Sequence, residues 1–101
     1  MLRIQAPGWH LLPLVLLVIG AGCAVAPVQE MSDARQAIAA AEEAGAEQFA
    51  PEPLAAARRY LADAERSLQV RSYGLARSHA ISAKTKAVEA LDTSQDGSSD
   101  P

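Results

Sequence analysis

Cys23 is the only cysteine in a chain of 101 residues, so its thiol has no disulfide partner within the chain. Its neighbours point to lipid attachment. Arg3 supplies a short positive n-region, Leu11 to Ile19 an apolar run, and Ala21-Gly22 the small side chains that a signal peptidase needs just before its cut. Cleavage is expected between Gly22 and Cys23, with residues 1–22 a lipoprotein signal peptide and the Cys23 sulfur the lipidation point. The other reactive side chains are less well placed for chemistry. His79 is the sole histidine beyond Cys23, and Ser72, Ser78 and Ser82 lie near it, but no carboxylate between Arg66 and Val88 could orient it as a base. It reads as a solvated surface residue. Glu42 and Glu43 are adjacent and diverge on a helix surface, with no His or Cys close enough in sequence to complete a metal-ligand spacing. No glycine-rich phosphate loop is present. The sequence therefore leads us to expect no catalytic residues, no metal, no cofactor and no small-molecule substrate.

Charge is distributed more informatively. Glu30, Asp33, Glu42, Glu43, Glu47 and Glu52 crowd the first predicted helix and the loop after it against a single Arg35, whereas Arg66, Arg71, Arg77, Lys84 and Lys86 follow one another with no carboxylate between them. The two groups can pair within a bundle or between copies, each exposed pair contributing only ~0.2 to 1 kcal/mol. Alternatively, the basic run contacts an anionic partner, either lipid headgroups or another envelope polymer. Arg58-Arg59 could add to that surface, although Arg59 can equally reach Asp63 one turn on. Net charge is −3, and Arg3 is the only basic residue ahead of Cys23 while every acidic one follows it. That balance argues against nucleic-acid binding.

The elements that must carry these residues are helical. Met31, Ala34, Ile38, Ala41 and Gly45 step by three and four, predicting a helix from Val28 to Ala46. The segment Phe49-Ala50-Pro51-Glu52-Pro53 interrupts it, and a second helix is predicted from Glu52 or Pro53 with Leu54, Ala57, Leu61, Ala64 and Leu68 in line. Ser72 is a candidate N-cap for a third, which aligns Tyr73, Ala76, Ala80, Ala83, Ala87 and Ala90. The short link makes the last two antiparallel neighbours. From Asp92 onward the polar residues have nothing to bury and predict a disordered tail. Alanine stripes let helices approach closely yet bury little apolar area, so the bundle should be marginal and supplemented by a protein partner or homo-oligomer.

Two resemblances refine this. The segment ending Gly20-Ala21-Gly22-Cys23 resembles the bacterial lipobox, with Gly20 where that pattern more often has Leu. Ala24, in place of the Asp that retains lipoproteins at the inner membrane, implies an outer-membrane destination. Asp33 to Ile38, Gly45 to Pro51, Leu54 to Ala57 and Tyr73 to Arg77 resemble an alanine-rich domain-of-unknown-function family of bacterial envelope lipoproteins. The resemblance implies a single tetratricopeptide-like hairpin for the second and third helices, usually with a Gly-Asp-Tyr turn, where this chain has Arg71-Ser72-Tyr73. The resemblance also implies relatives with a peptidoglycan-binding domain of the outer-membrane-protein-A type, which is not expected in the remaining length of this chain.

The expected protein is all-α, a small antiparallel bundle of about three helices preceded by a signal peptide. Residues 1–22 are the signal peptide, 23–27 a lipidated linker, 28–91 the helical domain and 92–101 the tail. Uncharged residues from Gln5 to Gln29 could also span a bilayer, but Pro13, Gly20 and Gly22 make a poor helix. The expected role is non-catalytic, structural or protein-interacting, at the periplasmic face of the outer membrane, and the alternative is a module binding an anionic envelope ligand through Arg66, Arg71, Arg77, Lys84 and Lys86. A fatty-acid label should enter the wild-type protein and be lost in Cys23→Ser, whose hydroxyl does not replace the thiol in thioether formation. Label retained by the mutant would remove the lipoprotein reading.

Overall fold

A computed structural model describes residues 26–99 of the chain. The predicted signal peptide, its cleavage point at Gly22 and Cys23, and Cys23 itself lie outside them. Four helices follow one another: α1 (Val28–Glu43), α2 (Ala46–Phe49), α3 (Pro51–Gln69) and α4 (Tyr73–Ser99). The described residues contain no strand, and the protein is all-α as its periodicity predicts.

The central element is α4. Its buried residues are Ala76, Ala80, Ala83, Ala87, Ala90 and Ser94, which alternate steps of four and three and so repeat every seven residues. A seven-residue repeat keeps a narrow seam facing its neighbours along a nearly parallel, left-handed crossing. Only small side chains occupy it. The bulk comes from the opposing helices: Met31 and Ile38 from α1, and Leu54, Leu61 and Leu68 from α3. Large groups on two helices thus seat against a floor of methyl groups on the third. Leu61 joins the two halves of the core, packing both against the cluster around Ile38, Leu54, Ala87 and Ala90 and against the one around Met31, Ala64 and Ala80.

Contacts along the helices set their directions. Arg35 reaches Glu65, and Arg58 reaches Glu42, so α1 and α3 are antiparallel. Tyr60 lies against His79, and Glu52 and Pro53 share a groove with Glu89, so α3 and α4 are antiparallel too. Glu30 meets Arg77 and Phe49 meets Gly97, so α1 runs parallel to α4. The ends of the bundle follow from this: Val28 and the α3–α4 turn share one end, and α2 and the last turns of α4 share the other.

The helix limits depart from expectation at three places. The first helix stops at Glu43 instead of Ala46, because Gly45 adopts φ 89°, a left-handed conformation that costs glycine little and ends a helix. Its N–H donates to the Glu42 carbonyl, and its own carbonyl accepts from Gln48 and Phe49, opening the single turn of α2. The second helix starts at Pro51, so both prolines fall in the first turn, where the N–H they lack would have no intrahelical partner. The third departure is the largest. Asp92 to Ser99, expected to be disordered, continues α4. Ser94 is fully buried, and its hydroxyl donates to the Ala90 carbonyl at 2.7 Å. Gly97 faces the Phe49 ring so closely that a Cβ there would lie 3.0 Å from it. Small residues, not large ones, are what this segment buries.

The seam has a testable consequence. Leucine at position 80 would force α1 or α3 outward, at a typical cost of ~1 to 3 kcal/mol for an overpacked core. In a soluble form beginning at Ala24, Ala80→Leu should lose helicity and melt below wild type when followed by circular dichroism. Melting at or above the wild-type temperature would mean that the seam is not packed.

Candidate functional site

The charged residues are the only candidates the sequence offers for a site in the described part, and α1, α3 and α4 distribute them by helical angle. Most of the acidic surface finds a cation. Arg58 donates to Glu42 at 2.6 Å and to Glu47 at 2.8 Å, clamping α3 to α1 and α2. Those two hydrogen bonds, Glu42 first, push the guanidinium pKa further up, so Arg58 stays charged at any working pH. Arg35 donates to Glu65 at 3.3 Å. All these groups are well exposed, and each pair contributes about 1 kcal/mol at most.

The five basic residues singled out from the sequence do not converge. Arg77 lies 3.6 Å from Glu30 on α1, and Lys86 lies 3.1 Å from Glu89 on its own helix. Arg66 pairs with Asp63, which therefore takes Arg66 and not Arg59 as its partner. Lys84 is exposed beside Glu30, Asp33 and Ile81 but has no carboxylate within ion-pair distance among the described residues. Arg71 also lacks such a partner and stands in the α3–α4 turn. Intramolecular pairing thus accounts for three of the five.

His79 is half-buried and stacks on Tyr60, with ring centroids 6.3 Å apart and 27° between planes. Its surroundings are more enclosed than the solvated position its sequence suggests, because the antiparallel register of α3 and α4 brings the two rings together. Among the described residues, no three His, Cys, Asp or Glu side chains cluster as metal ligands would. The surface depressions are open grooves. One, between α3 and α4, presents Glu52, Arg59, Lys86 and Glu89 over an alanine floor, an even balance of charge that favours neither sign of ligand.

The α3–α4 turn is the most unusual piece of backbone. Ser72 N–H donates to the Ser67 carbonyl at 2.9 Å, and Arg71 N–H donates to the Leu68 carbonyl at 3.0 Å. This pair of bonds is the Schellman helix ending, in which the residue after the cap is left-handed and usually glycine. Here that residue is Arg71 at φ 62°. A side chain in this region costs roughly 1 to 2 kcal/mol. Ser72 then precedes α4 as expected, its carbonyl accepting from Ala76 N–H at 2.9 Å.

Three long helices and the single turn of α2 thus pack around an alanine seam, with ion pairs across and along their surface. Residues 29–100 match the family described as Domain of unknown function (DUF4398), and the chain belongs to that family. No curated protein and no solved structure matches it.

The turn supplies its own test. Arg71→Gly removes the left-handed penalty, partly offset by the greater freedom of glycine in the unfolded chain, and should stabilise the bundle by about 1 kcal/mol. Thermal melting should rise by roughly 4 to 8 °C. An unchanged or lower midpoint would show that the arginine makes a compensating contact within the fold.

Proposed function

We propose that the protein is a lipid-anchored component of the bacterial cell envelope, exported by its N-terminal signal and held through Cys23 at the periplasmic face of the outer membrane. It acts there as a non-catalytic structural or protein-interaction module. The observation that carries this reading is the placement of Cys23 directly after an apolar run and small residues and just before a folded helical domain. Among the described residues no helix is long and apolar enough to cross a membrane, so attachment of this domain falls to the N-terminal segment. The α3–α4 hairpin is the part that corresponds to a tetratricopeptide-type unit, and one such unit does not build a continuous array.

Partner binding draws support from α4. Ile81 and Val88, one seven-residue repeat apart, are 51% and 40% exposed, so they form a row on the outer side of the helix whose inner side is the seam. The second reading, an anionic-ligand module on the basic helix α4 and the turn before it, rests on Arg71 and Lys84, which have no carboxylate within ion-pair distance among the described residues.

Membrane fractionation tests location, and in-cell crosslinking tests role. The protein should sediment with outer-membrane vesicles and resist salt washing, because two or more acyl chains at ~0.8 kcal/mol per buried methylene make a stable anchor. A photo-reactive residue at Val88 should capture a discrete protein or a second copy, and one at Gln69 should not. Recovery with the inner membrane would contradict the location. Equal capture at the two positions would contradict the interaction surface.

A further inference from the structure

The end of the bundle formed by Val28 and the α3–α4 turn carries three exposed apolar side chains, Val28, Val70 and Leu75, at 70%, 72% and 54% exposure. Helix register puts them together: Glu30 faces Arg77 across α1 and α4, so Val28 starts α1 level with Leu75 at the start of α4, and Val70 lies in the turn that feeds α4. Arg71 projects from the same turn, and Arg66 is one turn back on α3. The opposite end is acidic, with Glu43, Glu47, Glu52 and Asp96 around α2, the start of α3 and the last turns of α4.

We propose that this end is a membrane-contact surface, seated on the anionic headgroups of the bilayer that holds Cys23. The inference rests on the lipid-anchor reading above and adds to it an orientation and a set of contacts. Chain length carries it. Pro27 is fully buried and its carbonyl accepts from Met31 N–H at 3.0 Å, so the fold begins at that residue. Only Ala24, Val25 and Ala26 separate it from Cys23, a reach of at most ~14 Å even when fully extended. An anchor this short holds the Val28 end of the bundle within the headgroup region. Exposed valine and leucine side chains favour the headgroup–acyl boundary, and arginine favours anionic headgroups. Arg66 and Arg77 at this end are paired with Asp63 and Glu30, so Arg71 is the cation there without a close carboxylate among the described residues, and the more acidic end of the bundle lies away from a negative surface. The left-handed Arg71 fits as well: a side chain with a positive charge is kept where glycine would relieve the backbone.

The test uses the full chain, exported, acylated and extracted from membranes. Lipid occupies the Cys23 sulfur, so a new cysteine is the sole free thiol. An environment-sensitive fluorophore is attached at Ser72→Cys in the turn or at Gln48→Cys on α2, and each protein is reconstituted into vesicles of phosphatidylglycerol and phosphatidylcholine. The Ser72 probe should shift to the blue and resist an aqueous quencher, while the Gln48 probe stays fully quenched. Adding Val70→Ser and Arg71→Glu, with helicity checked by circular dichroism, should restore quenching at position 72. Equal quenching of both probes in a protein whose mass shows the acyl chains would overturn the contact and leave the anchor standing. A protein with no acyl mass that fails to float with the vesicles would overturn both.

Discussion

Everything in the bundle depends on how closely α1 and α3 can approach α4, and the row from Ala76 to Ser94 sets that distance. Helix axes come together at 8 to 10 Å according to the side chains between them, and methyl groups permit the lower end. Close approach lets a few large residues suffice, since Ile38 and Leu54 share one cluster with alanines, Met31 another, and Leu61 packs against both. It also brings the flanks within reach of short ion pairs: Arg58 can bridge to Glu42 and Glu47 because the helices carrying them lie near. Surface electrostatics here follows from the packing and contributes little to it.

The sequence was most legible where periodicity alone decides. Each alanine predicted for the α4 stripe is buried, as are Met31, Ala34, Ile38 and Ala41 of α1 and Leu54, Ala57 and Ala64 of α3. It was least legible where burial involves residues that carry no hydrophobic signal. Ser94 and Gly97 extend the seam, but a serine satisfied by its own helix and a glycine filled by the Phe49 ring look like linker residues in a one-dimensional reading. Gly45 read as a stripe member by its spacing, whereas its left-handed backbone makes it the point where the helix has ended. Charge pairing was hidden for another reason: Arg35 and Glu65 stand 30 residues apart, and only the mutual register of two helices makes them neighbours. The basic run looked like one surface in sequence, yet consecutive members fall at different angles around α3 and α4, and the bundle separates them.

The two ends of the bundle also differ in how they close. At the Gly45 end the chain turns with a residue suited to a left-handed backbone, and the Phe49 ring lies between Gly45 and Gly97. At the Arg71 end the same kind of turn is made by a residue poorly suited to it, and the apolar groups nearby point outward. Phe49 at the first end is 38% exposed, whereas Val28, Val70 and Leu75 at the other are each more than half exposed beside the positive charge of Arg71.

The alanine seam has a thermodynamic consequence as well. The heat capacity change of unfolding grows with the apolar area exposed, and a seam of methyl groups exposes little when the helices separate. Enthalpy and entropy of unfolding therefore vary weakly with temperature, and the stability curve is broad and low instead of sharply domed. Such a bundle gains little extra stability at the optimum of its curve, but it also changes little across the range of temperatures that a cell envelope meets.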